Sequence, residues 1–231
     1  MAYVKLQIPP NTPSEIGSIV RGSFDMYFED VHTMLQLPMP NTEASAGCNF
    51  PVALTLFAVV SAVSRVIYPL ESPDGGGFKQ LLGEKFPWDA EPPGGLRDGA
   101  AADYLYDEFR NPLAHTAGLA IRPAPAKAPH RYIFYSPATH RRVQKSRGPA
   151  ELEVARIEAS EVRPEGWPPT LALDSSDAPP MMEFFLEGLY WGIRRMITNL
   201  CGDTTIMKDA VANLARMRQD QMNSVFSNRT V

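Results

Sequence analysis

Phe50-Pro51-Val52-Ala53-Leu54-Thr55-Leu56-Phe57-Ala58-Val59-Val60-Ser61-Ala62-Val63-Ser64 is the stretch that decides the fold. It carries no charge, and Arg65 ends it. A membrane span needs about 20 apolar residues; this run is shorter and includes Thr55, Ser61 and Ser64. It therefore reads as a buried helix at the centre of a bundle, running from about Pro51 to Tyr68 and stopped by Pro69. A central helix of this kind needs amphipathic neighbours, and the flanking sequence supplies them.

Upstream, Pro13 to Leu35 places Ile16, Ile19, Val20, Tyr27, Val31 and Leu35 near helical spacing, with Ser14 as N-cap and Gly17 and Gly22 as weak points. Residues 36–49 read as a polar loop. Downstream, residues 71–98 hold Gly75-Gly76-Gly77, Pro87, Pro92-Pro93 and Gly94-Gly95. They predict a long loop with one helical turn around Phe78 to Leu82. A third helix begins near Asp98, its expected N-cap, and passes through Tyr104, Leu105 and Phe109. Short strands are expected at 131–135, 151–158 and 170–173, from Tyr132, Phe134, Leu152, Val154 and Ile157. A fourth helix follows Asp177, with Pro179-Pro180 in its first turn, and ends near Gly202. A fifth starts after Asp203 and continues to about Phe226. The fold class is thus mainly α: a bundle of about five helices with a small β insertion at about 131–174, in one domain over 1–231.

The bulk figures agree. The chain has 231 residues, 44% hydrophobic and 21% charged, which suffices for a sizeable core. Its 22 prolines cluster between apolar segments and act as connectors. Cys48 and Cys201 match no metal-ligand spacing, and His32, His115, His130 and His140 are not spaced as ligands on one helix. The N-terminus has neither the basic nor the apolar region of a signal peptide. A cytoplasmic protein without a membrane span, metal or cofactor is expected. Met181-Met182, Phe184-Phe185 and Tyr190-Trp191 read as core or dimer interface, and Arg194-Arg195 as the outer face of the fourth helix.

Chemistry concentrates where the third helix ends. Arg110-Asn111-Pro112-Leu113-Ala114-His115 sets an arginine and a histidine five positions apart, with Glu108 just before them. Histidine titrates near neutral pH and moves protons to or from oxygen nucleophiles. Arginine presents a permanently charged planar fork that holds a phosphate and the charge developing on it. Cleavage of an RNA phosphodiester uses this pair. Five residues turn a regular helix by about 140°, so the two side chains do not share a face. A break at Asn111-Pro112, or a symmetric dimer, would bring them together. The same residues also suit a structural role: Arg110 paired with Glu108 or Asp107, His115 in a core or interface, and Asn111-Pro112 as a helix stop.

The Arg-Asn-x-x-x-His pattern on a helix, with Glu108 before it, resembles the motif of the HEPN superfamily. Those proteins are helical bundles, many of them metal-independent ribonucleases and often toxins or defence effectors, with active sites at dimer interfaces. The resemblance implies that Arg110 and His115 are catalytic, that Asn111 orients the site and that Glu108 assists. It also implies a homodimer, with an antitoxin as one candidate protein partner.

A second signal adjoins the first. From Phe109 to Ala150 there is no aspartate or glutamate, but there are eight positive charges: Arg110, Arg122, Lys127, Arg131, Arg141, Arg142, Lys145 and Arg147. The rest of the chain has 14 basic residues against 26 acidic. Such asymmetry suits a polyanion, because phosphate contacts supply most of the affinity for nucleic acid. Arg131, Arg141, Arg142, Lys145 and Arg147 are the expected RNA contacts, with Tyr132 able to stack on an unpaired base. The other reading is a solvated hairpin facing the acidic remainder of the chain or a second subunit. Two functions therefore follow: a HEPN-like ribonuclease, or a non-catalytic helical module that binds nucleic acid or a protein.

Overall fold

The structure is a computed structural model that describes residues 2–36, 49–68, 75–116, 131–135, 150–174 and 181–227. It is mainly helical. The first helical stretch is α1 (Ser14–Ile19), a π-helical segment Val20–Phe24, and α2 (Asp25–Gln36). The wider π turn, at the weak point expected at Gly22, shifts the phase of the apolar face. Ile16, Val20, Phe24, Phe28, Val31 and Leu35 are buried, whereas Tyr27, expected in the core, is 38% exposed. The N-cap is Pro13 rather than Ser14, whose hydroxyl bonds Glu15 instead.

The central helix, α3 (Asn49–Ile67), is longer than the uncharged run within it. By length and composition alone, Phe50–Ile67 is apolar enough to cross a membrane. Its packing is that of a core helix: Val52, Leu56, Phe57, Val59, Val60 and Val63 are buried, and α2 and the helices introduced next lie against it.

The segment expected as a long loop contains α4 (Gly76–Lys85) and a 3₁₀ turn at Trp88–Ala90. Of the three glycines, only Gly75 is left-handed, at φ 73°, where it caps the helix. Phe78, Leu81 and Leu82 then give α4 a buried face at i, i+3, i+4. The third helix is α5 (Asp98–Tyr104), a second π segment Leu105–Arg110, and α6 (Asn111–Thr116). Arg97, not Asp98, is the N-cap.

Two corrections concern the β insertion. Residues expected as a strand at 151–158 form α7 (Ala150–Ala159). Ala, Glu and Arg dominate that sequence and favour helix, while Val154, Ile157 and Glu158 are buried, the i, i+3, i+4 face of a helix. The fourth helix starts later than expected, because Met181–Phe185 is a strand. The sheet comprises β1 (Arg131–Tyr135), β2 (Leu171–Asp174) and β3 (Met181–Phe185) in the order β1-β3-β2. β1 runs parallel to β3 with Arg131 opposite Met181, and β2 runs antiparallel with Leu171 opposite Phe184. The sheet thus extends past the predicted insertion and places Phe184 against Phe57 and Phe109.

The last two helices are α8 (Leu186–Gly202) and α9 (Thr204–Ser227). α9 starts after Asp203 as expected, and Asp203 caps it, its Oδ1 accepting from the N–H groups of Thr205 and Ile206. The apolar excess of Met181–Met196, read as core or dimer interface, is core: Met182, Phe184, Leu186, Leu189, Tyr190 and Ile193 are all buried within one chain. Arg194, expected on the outer face of α8, is buried as well.

Candidate active site

The candidate site emerges from the second π segment. Pro112 has no N–H to donate to the carbonyl of Glu108, so the regular ladder is interrupted there. The chain responds by widening rather than breaking: the Asn111 N–H reaches back to the carbonyl of Tyr106, five residues earlier. Asn111 itself remains right-handed helical (φ −64°, ψ −49°). The break expected at Asn111-Pro112 is therefore absent, and the irregularity lies one turn upstream.

This geometry fixes Arg110. Its guanidinium lies over the Tyr106 ring, 5.4 Å from the centroid, and its Nη1 donates to Asn111 Oδ1 at 2.9 Å. Tyr106 is itself held against Phe78, with Lys79 also over its ring. Asp107 is engaged by Lys79 at 2.8 Å. Among the described residues Arg110 makes no ion pair, so its fork keeps donors available. The structural reading in which Arg110 pairs with Asp107 or Glu108 does not describe this arrangement.

Arg110 borders a groove of about 560 Å³ between α3, α6 and α9. α3 contributes Leu54, Phe57, Ala58, Ser61 and Arg65, a stripe at i, i+3, i+4, i+7 and i+11; α6 adds Ala114 and α9 adds Met217. Leu54 is 43% exposed and Phe57 is buried, so the groove has an apolar floor open to solvent.

Glu108 is half-buried on the π segment, two residues before Arg110. His115 is on α6, immediately after the groove-lining Ala114; its side chain is outside the described ones. Arg131 and Tyr132 form the start of β1 and pair with Met181 and Met182 of β3; their side chains are likewise not described. Arg141, Arg142, Lys145 and Arg147 lie outside the described residues. The structure thus joins Arg110 and Asn111 directly. Among the described residues no group of three or more His, Cys, Asp or Glu is placed to hold a metal ion.

Sequence reasoning missed a buried polar centre between α2, α7, α8 and the N-terminal segment. Glu158 Oε1 lies 2.8 Å from His32 Nδ1 and accepts from the Tyr190 hydroxyl at 2.9 Å, while Oε2 accepts from the Val4 N–H at 2.9 Å. Arg194 donates to the Val4 carbonyl and to the Tyr3 hydroxyl, and Tyr3 donates to Asp25 Oδ1. Burial pushes the Tyr190 phenol well above its ordinary value, against the pull of Arg194, so it acts as a neutral donor. The signal was available: Arg194 is four residues after Tyr190 and three before Ile197, which places it on the core face of α8. A second centre joins Arg163, Glu91 and Thr170: Arg163 Nη1 and the Thr170 N–H each donate to Glu91 at 2.7 Å. It ties the 3₁₀ turn to the start of β2.

Comparison of the chain with protein-family models, with curated proteins and with solved structures gives no match.

Proposed function

We propose that the chain is a HEPN-like, metal-independent endoribonuclease in which Arg110 holds the scissile phosphate and His115 moves the proton. The observation that carries this reading is the state of Arg110. Its guanidinium is braced by the Tyr106 face and Asn111 Oδ1, makes no ion pair among the described residues, and borders an open groove. A braced, uncompensated cation is what a transition-state phosphate requires, because no reorganisation is then needed as charge develops.

In this mechanism a ribose 2′-hydroxyl attacks the neighbouring phosphorus. His115 accepts the hydroxyl proton or supplies one to the leaving 5′-oxygen. Arg110 neutralises the phosphorane oxygens, and Asn111 orients Arg110. Glu108 assists from the preceding turn. The products are a 2′,3′-cyclic phosphate and a 5′-hydroxyl. Two copies of the chain, paired through the 99–119 region, would complete the site as the motif's resemblance implies; a toxin or defence role with an antitoxin partner is consistent with such an assembly.

The test is an RNA oligonucleotide carrying one 2′-deoxy position. Cleavage should disappear at the bond 3′ to that nucleotide and persist elsewhere. Unchanged cleavage there would exclude attack by the 2′-hydroxyl. A second reading, an RNA-binding module without catalysis, is favoured by the eight positive charges of 109–150. It predicts salt-dependent RNA binding, weakened by alanine at Arg141, Arg142 and Lys145, with intact RNA recovered after incubation.

A further inference from the structure

We infer that Arg65 is a second phosphate contact, and that the groove between α3, α6 and α9 takes a single-stranded stretch of RNA with one phosphate on each arginine and a base against the apolar floor. The inference rests on the proposed RNA reading of the groove, but on binding alone, not on cleavage.

Arg65 is the last member of the groove stripe on α3 and is exposed. Like Arg110, it makes no ion pair among the described residues; unlike Arg110, which donates to Asn111, it makes no hydrogen bond among them either. Arg65 therefore keeps its planar fork of donors available to an anion entering the groove. Both arginines line the same groove, and the order of elements places Arg110 toward one end of α3. Space beside Gly77 is bounded by Ser64 and Tyr68 at the end of α3, and space beside Gly75 is filled by Tyr106. Tyr106 is the platform on which Arg110 lies. Arg110 therefore sits near the α3 terminus that carries Arg65.

The rest of the groove has a different character. Leu54, Ala58 and Met217 offer apolar surface above the buried Phe57, with Ser61 as a polar group on the same stripe. From Leu54 to Arg65 the stripe runs 11 residues, about 16 Å at 1.5 Å per residue. That length matches a few extended nucleotides rather than a lone phosphate ion. A duplex would bury its bases and present phosphates only, leaving the apolar floor without a partner. Single strands expose base faces that can pack on such apolar surface.

The experiment is fluorescence anisotropy with a labelled single-stranded eight-nucleotide RNA, titrated at several KCl concentrations, beside cleavage kinetics on the same sequence. Arg65→Ala should raise Kd about tenfold and reduce the slope of log K against log salt by about 0.7, the value for one phosphate of a single strand. KM should rise with Kd, while kcat stays within about threefold. Arg65→Lys should recover part of the affinity. Arg21→Ala, which removes the same charge from an exposed position on the first π segment, should leave Kd within about twofold. Equal effects from Arg21 and Arg65 would overturn the inference, as would an unchanged Kd in Arg65→Ala. If RNA is bound through Arg65 but not cut, the ribonuclease reading fails and the inference stands. If RNA is cut with an unchanged KM in Arg65→Ala, the reverse holds. Neither binding nor cleavage by the wild-type protein overturns both.

Discussion

His32 Nδ1 and Glu158 Oε1 are 2.8 Å apart although 126 positions separate them in the chain. The Glu158 side chain is fully buried, and it joins α2, α7, α8 and the N-terminal segment through His32, Tyr190 and Val4. Removing one member of such a set leaves the others buried without compensation. Glu158→Ala should lower the unfolding free energy by about 3 kcal/mol in urea denaturation. Glu158→Gln, which keeps an acceptor, should cost less. A loss below about 1 kcal/mol in Glu158→Ala would show that the centre does not hold these elements together.

Cys201 tests the packing at the other end of α8. Burial pushes its thiol from 9.0 up to about 11. The native thiolate population at pH 8 should then be about 100-fold lower than in the unfolded chain, since one pKa unit is a factor of ten. In a Cys48→Ser background, iodoacetamide should modify Cys201 at least about 100-fold faster in urea than in buffer. The raised value also sets a sign for stability. The folded state holds the proton more tightly, so this contribution is intact below pH 9 and is lost as pH rises through 11. Comparable labelling rates in urea and buffer would contradict the buried position.

Much of this arrangement was legible in the sequence, for physical reasons that differ by element. The α3 run was legible because fifteen uncharged residues leave few options, and the start of α9 after Asp203 because helix-start signals are local. Residues 151–158 were misread because Val154 and Ile157 suit either a strand or one face of a helix. Only the burial of Glu158 beside them selects the helix. Tyr27 was misplaced because a π turn adds a residue that a 3.6-residue period does not anticipate. Within the candidate site, Arg110 was singled out by its spacing to His115, and Asn111 by the resemblance of the motif. Tyr106 was not, since it meets Phe78 of α4 and Arg110 through contacts that no local pattern records.

Tyr106 should act as a positioning residue for Arg110. Tyr106→Leu removes the ring face under the guanidinium, and about 0.5–1 kcal/mol of cation–π attraction with it. RNA cleavage should fall about 2- to 5-fold through kcat, while Tyr106→Phe stays near wild type. Gly75→Ala provides an independent route to the same ring. A Cβ there would lie 1.9 Å from Tyr106 Cζ, and the backbone is at φ 73°. Stability should drop by about 1 kcal/mol or more, with cleavage reduced in parallel to Tyr106→Leu. Full activity in both variants would remove the role assigned to the ring.

The proposed activity is RNA cleavage by Arg110 and His115 without a metal. The most direct measurement is the single-turnover cleavage rate of a labelled RNA in EDTA, for the wild-type protein and for His115→Ala, with product ends identified by mass. Wild-type cleavage should leave 2′,3′-cyclic phosphate ends, and the rate should be at least about 10²-fold lower in His115→Ala, the usual scale for losing a proton-transfer group. Equal rates in the two proteins, or wild-type activity that appears only when a divalent metal is restored, would contradict it.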